Sequence, residues 1–352
     1  MSLQLPAVGA EVVEVHAQRT RPFATDATAS ATMSWWTRLV FLTLTPIVLA
    51  LAGCPRPLVV SRPYPPPSAS ELGEALAARQ SAVSSMNARA RATSWLGGER
   101  VRATVLMLVD RPGRLRFEAE VSLQGTVAVL ATDGQQFEFL DATRNEFRHG
   151  PACPANVASL IRIPLEPPEI AAILLGDARL PIGASGSEVE GGASAGTVDW
   201  DAGRAADVLV LRRYDGWLRI LFEPGRTRQP GGRPENRVVG VIATGPDGRA
   251  RWRAGFEDFA EFATGDKGKG GGGGEPPTVA LPRTIRFAEG DTSFDEGVEI
   301  KFKERTLNEG PGADAFALTP APGIQIIEVG CPSATRPPRR APAPVPAGRG
   351  AH

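Results

Sequence analysis

Histidine is scarce in this chain: His16, His149 and His352 are the only three, and the first and last stand in segments without a periodic pattern. That leaves little material for imidazole acid–base chemistry or a histidine-rich metal site, so no catalytic residue, metal or cofactor is expected. Aromatic residues make up only 6%. Charge of one sign is lacking too, because 39 basic residues balance 39 acidic ones. A whole-chain positive field of the kind that holds nucleic-acid backbones is thereby excluded. What the chain has in quantity is glycine (39) and proline (32), beside 42% hydrophobic residues. Over 352 residues this is enough for a substantial core, and so many turn formers point to an all-β protein.

The longest apolar run, residues 39–53, follows Arg38, contains Pro46 and ends in Leu51-Ala52-Gly53-Cys54. A stable membrane helix needs about twenty residues, so this run is too short to be the final anchor. A cation before it and small residues ahead of a cysteine make a secretory signal with a lipobox. Cys54 is therefore expected to be lipidated as the first residue of a mature bacterial lipoprotein, held in the membrane by several acyl chains. Pro55 follows it, with no aspartate there. By the sorting rule of enteric bacteria this implies the outer membrane, facing the periplasm. Residues 1–53 are read as an N-terminal extension and signal peptide, with Met33 the better start.

Residues 54–67 include Pro55, Pro57, Pro63, Pro65, Pro66 and Pro67 and read as an extended spacer. A folded domain is expected over 68–331, and a proline- and arginine-rich tail with no core over 332–352. Ser68 and Glu71 form a capping-box pattern, and Leu72, Leu76, Val83 and Met86 predict a helix to about Arg91. After Gly98 the period becomes two. Val101, Ala103, Val105, Met107 and Val109 share one face, as do Leu115, Phe117, Ala119, Val121 and Leu123. About ten strands are expected, interrupted between Pro154 and Gly176 by two short apolar helical segments. The fold class is mainly β: one curved antiparallel sheet with helices on its concave side. The glycine run 270–274 reads as a hairpin loop.

With Cys54 committed to lipid, Cys153 and Cys331 remain. In an oxidising compartment such a pair is expected to form a disulfide, the alternative being two buried thiols. Gly192-Ala193-Ser194-Ala195-Gly196 matches a Gly-x-Ser-x-Gly nucleophile elbow. An elbow needs a strand before it, a helix after it and a downstream histidine. A glycine-serine loop precedes it, a strand-like segment follows, and only His352 lies downstream, so a loop and a non-enzyme are expected.

Three blocks resemble the outer-membrane lipoprotein receptor LolB and its soluble relative LolA: Arg114 to Phe117 with Val121 to Thr126 and Ala131 to Phe137; Ile163 to Ile170 ending in Leu174-Leu175-Gly176; and Trp252 to Phe259 with Leu281 to Phe287 and Val298 to Phe302. The resemblance implies an incomplete antiparallel β-barrel of about ten strands, enclosing helices and an apolar cavity for lipoprotein acyl chains. Phe117 and Val121 would line it, with Leu160, Ile161, Ile170, Ile173 and Leu174 as a lid. The same side chains would equally fill a solid core. Leu123 occupies the place of that family's membrane-inserting loop leucine, or else ends its strand facing inward. A periplasmic LolA-like carrier is the implied partner, and a monomer is expected.

Overall fold

The computed structural model describes residues 60–96, 99–121, 125–180, 196–223, 236–264 and 278–332. Cys54, Leu123, Ser194, the glycine run 270–274 and residues 333–352 lie outside them. The helix α1, Ala69–Ala82, starts on the expected capping box: Ser68 Oγ accepts from the Glu71 amide at 3.2 Å and Glu71 Oε2 accepts from the Ser68 amide at 2.7 Å. It buries Leu72 and Leu76, each worth about 1.5–3 kcal/mol.

The helix does not run to Arg91. It stops at Ala82, and strand β1 (Ser85–Leu96) follows. Met86, Ala88 and Ala90 are buried while Asn87, Arg89 and Arg91 are exposed, an alternation that alanine and arginine, both good helix formers, conceal. A hairpin meander continues with β2 (Glu99–Asp110), β3 (Arg114–Val121), β4 (Gly125–Thr132), β5 (Gln136–Asp141) and β6 (Glu146–Pro151). Two helices come next, α2 (Pro154–Ile161) and α3 (Pro167–Leu174), each opening on a proline whose missing N–H costs nothing in the first turn. The second meander is β7 (Thr197–Asp201), β8 (Ala206–Arg213), β9 (Gly216–Glu223), β10 (Arg237–Thr244), β11 (Ala250–Ala263), β12 (Thr278–Glu289) and β13 (Val298–Leu307), before a final β14 (Gln325–Glu328).

All fourteen described strands form one open sheet, in the order β14-β6-β5-β4-β3-β2-β1-β13-β12-β11-β10-β9-β8-β7. The count exceeds the expected ten because β1 was hidden in a helix-like pattern and β7 and β14 are short. The pairing of β1 with β13 joins the two meanders, with Ala92 opposite Ile300 and Ala90 opposite Phe302. The helices pack on the β2–β4 part of the sheet. In α3, Ile170, Ala171, Ala172, Ile173 and Leu174 are all buried, the mark of a helix enclosed on every side. Gly176 ends it with φ 71, where a Cβ would meet the Pro282 ring.

The short strand β14 forms one edge of the sheet and β7 the other. Beside β6, β14 pairs in parallel from Gln325 opposite Glu146 to Glu328 opposite His149. A Cβ at Gly150 would collide with the Val329 carbonyl oxygen, so this close approach requires glycine. The expected disulfide, Cys153–Cys331, fixes the same segment across 178 residues, worth about 5 kcal/mol by chain entropy.

At the opposite edge the proline-rich segment is extended but not free. Val60 N donates to Ala202 O at 3.2 Å, and Trp200 Nε1 donates to Val60 O at 2.7 Å. Arg62 pairs with buried Asp207 at 2.8 Å and lies over the Trp200 ring. Tyr64 donates to Asp207 at 2.8 Å; burial, then this carboxylate, push its phenol above its ordinary value.

Candidate functional site

The register of β13, β1, β2 and β3 determines what lies under the helices. Inward side chains fall into rows across the sheet: Val298, Ser94 and Val101; then Ile300, Ala92 and Ala103; then Phe302, Ala90, Val105 and Ala119; then Ala88, Met107 and Phe117. The rows nearest the hairpin turns are built of alanine, serine and valine with the single larger Ile300, whereas the deepest holds methionine and phenylalanine. Small residues leave space and large ones close it. The result is a cavity of about 290 Å³ that runs inward from the two hairpin ends. From Val101 to Met107 it follows β2 for roughly 20 Å, at about 3.3 Å per residue. An acyl chain spans about half of a ~30 Å hydrocarbon core, so the hollow is long enough for one chain. Its volume is near the lower end of the ~300–1,000 Å³ usual for ligand pockets.

The roof comes from the helical insertion, through Ser159, Leu160 and Ile161 of α2, Arg162 and Ile163 after it, and Leu174 of α3. Of the residues expected at the cavity, Phe117, Val121, Leu160, Ile161 and Leu174 line it. Ile170 and Ile173 do not: at 1% and 2% exposure they belong to the core beneath, because α3 is buried on all sides. Leu123 is outside the described residues, in the chain between Val121 and Gly125. Sequence reasoning missed the alanines Ala92 and Ala103 as a floor. The signal was there, in small residues at consecutive inward positions of adjacent strands. Ser159 Oγ is buried among these groups with no hydrogen-bond partner in the described protein.

Two polar clusters border the same insertion. Asp177, wholly buried just after α3, accepts from Arg111 Nη2 at 2.9 Å. Burial pushes its carboxyl up to about 6, against the pull of Arg79, Arg111 and the Ala178 amide. Arg111 also donates to Val83 O at 2.9 Å, and Arg79 donates to Ala280 O at 2.9 Å. This cluster pegs α1, the β2–β3 turn and β12 to the end of α3.

The second is a charged hollow of about 300 Å³, bordered by Glu166, Glu169, Arg213, Asp215, Arg251 and Trp252 among others. Arg213 bridges Glu169 at 2.7 Å and Asp215 at 3.2 Å, and Asp215 also pairs with Arg251. Burial and the charge of Glu169 raise the Glu166 carboxyl above its ordinary value, with Arg179 opposing. The described segment after Gly196 is the strand β7, not the helix that a nucleophile elbow requires. Among the described residues no cluster of three or more histidine, cysteine or acidic residues could hold a metal.

No protein-family model and no curated protein matches the chain. Solved structures similar to it include a DUF1329 family protein from Desulfovibrio piger, at 9% identity and TM-score 0.41 over 71% of this chain and 98% of that one. Another is an outer membrane lipoprotein-sorting protein domain from Vibrio parahaemolyticus, at 9% identity and TM-score 0.40 over 71% and 97%. A LolA superfamily protein from Nitrosomonas europaea has 10% identity and TM-score 0.40 over 72% and 98%. What the cavity can do follows from its own walls.

Proposed function

We propose that this protein is a lipid-anchored, periplasm-facing lipoprotein of LolA/LolB type that shelters an acyl chain in its apolar cavity and acts in placing lipoproteins at the outer membrane. The helices then serve as the cover of an incomplete barrel, Cys54 as the anchor, and Leu123 as the residue that inserts into lipid. The observation that carries this reading is the hollow itself, lined mostly by apolar side chains from Val101 to Phe117 and roofed by Leu160 and Ile161. Its affinity has a simple source. Each buried methylene contributes about 0.8 kcal/mol, so ten supply roughly 8 kcal/mol, near micromolar binding before ordering costs.

Ser159 Oγ is placed to donate to an ester or carboxyl oxygen of the chain. No bond is made or broken in this function, and a small difference directs transfer, since about 1.4 kcal/mol shifts the partition between donor and acceptor tenfold. The test is mass spectrometry of lipid extracted from protein purified without detergent, together with movement of a labelled lipoprotein from a periplasmic carrier to liposomes. Copurified acyl lipid and protein-dependent transfer are expected. A protein that neither carries lipid nor binds a fluorescent fatty-acid probe sinks the reading, and binding without transfer reduces it to a passive lipid-binding module.

A further inference from the structure

We propose that the β1–β2 hairpin is a docking element for an anionic phospholipid bilayer, bringing that surface against the mouth of the cavity. Register sorts the hairpin into two faces. On one, Ser94 and Val101 stand opposite each other and open onto the cavity. On the other, Arg102 stands opposite Thr93 and Arg100 opposite Trp95, with Arg91 opposite Lys301 further from the tip; the Arg102 side chain also reaches the cavity. Val101 is 59% exposed and Val121, beside the neighbouring hairpin end, is 37% exposed. Apolar side chains at a turn, backed by arginine and tryptophan, suit the boundary between headgroups and acyl chains.

The charge is local. The whole chain balances to zero, yet residues 89–102 hold Arg89, Arg91, Arg100 and Arg102 against the single acid Glu99. Two nearby carboxylates are already committed, Glu120 to Arg89 at 3.3 Å, and Glu299 to Lys301 at 3.1 Å and Arg286 at 3.3 Å, while Asp295 and Glu296 lie in a turn packed against β1. Arg100 lies 5.2 Å over the Trp95 ring, while Arg91 and Arg102 have no acidic partner among the described residues. Exposed Arg162, at the end of α2, adds a cation on the other side of the mouth. Near an anionic surface each such cation strengthens attachment about fivefold. This inference rests on the lipid-binding reading for the reason that the mouth should meet a bilayer.

To test it, the mature chain carrying Cys54→Ser, so that no acyl anchor attaches it, is sedimented with vesicles of phosphatidylcholine alone or with equal phosphatidylglycerol. Binding at least tenfold stronger to the anionic vesicles is expected, lost in 1 M salt where the screening length falls to about 3 Å. Arg91→Glu with Arg100→Glu lowers that binding more than tenfold and leaves fatty-acid probe binding unchanged; Arg91→Gln with Arg100→Gln replaces it if charge reversal prevents folding. Equal binding to both vesicles, binding to neither, or wild-type binding by the double variant overturns the proposal. Loss of probe binding by the unsubstituted chain overturns the cavity reading instead, and leaves the vesicle result standing.

Discussion

Two hollows of nearly equal size border the helical insertion, about 300 Å³ and about 290 Å³, and their chemistry is opposite. In the first, Arg213, Arg251, Glu169 and Asp215 answer one another, so much of the charge on its walls is met without a guest. The second has almost nothing to answer: alanine, valine, leucine and isoleucine face each other across a gap. An apolar wall loses dispersion contacts wherever it has no neighbour, and only a nonpolar occupant restores them. Size alone therefore does not separate a structural hollow from a binding site. The unsatisfied state of the walls does.

That contrast can be broken most strongly from the apolar side. Ala103→Trp fills the floor of the cavity and is expected to weaken binding of a fluorescent fatty acid more than a hundredfold, measured by titration, while far-UV circular dichroism stays unchanged. In the charged hollow, Arg213→Ala leaves Glu169 and Asp215 without a shared cation and should cost about 2 kcal/mol in urea unfolding, less than for a fully buried pair. It should leave fatty-acid binding within twofold; a large loss would show that the two hollows act as one site.

The buried carboxyl of Asp177 sharpens the comparison through pH. Its folded value of about 6 exceeds the unfolded value near 3.9, so the folded state holds the proton more tightly. Its contribution to stability is complete below about pH 4 and is lost as pH rises through about 6. The melting temperature of the wild-type protein should fall across that window relative to Asp177→Asn; parallel curves would contradict the assignment. The smallest effect is expected at the docked proline-rich segment. Asp207→Ala removes the partner of both Arg62 and Tyr64, and should raise the rate of proteolysis near residues 60–64 severalfold with the core melting transition nearly unmoved.

Much of the fold was legible in the residues. The alternation of Leu115, Phe117 and Ala119 against Arg116 and Glu118 is the burial pattern of β3. The capping box at Ser68 and the pairing of Cys153 with Cys331 also followed from local chemistry and compartment. β1 was not legible, because Met86, Ala88, Ala90 and Arg91 suit a helix by propensity and only pairing with β2 and β13 makes them a strand. Within the site, Phe117, Val121, Leu160, Ile161 and Leu174 could be named in advance. Ile170 and Ile173 could not be told from them, since an apolar side chain facing a void and one facing its neighbours look alike in a sequence.

The docked spacer shows the same limit from the polar side. Prolines predict an extended segment, but whether it floats or binds depends on Asp199, Trp200 and Asp207, more than 130 residues away along the chain.

The sequence by itself determined which side chains point inward on most strands, β1 excepted, because the pleat fixes a period of two whatever the strand meets. It determined the helix starts through proline and serine chemistry as well. Only the tertiary structure decided that the inward face is hollow near the hairpin ends and solid below. That depends on β13 pairing with β1 across some two hundred residues, and on how closely α2 and α3 settle over a row of alanines.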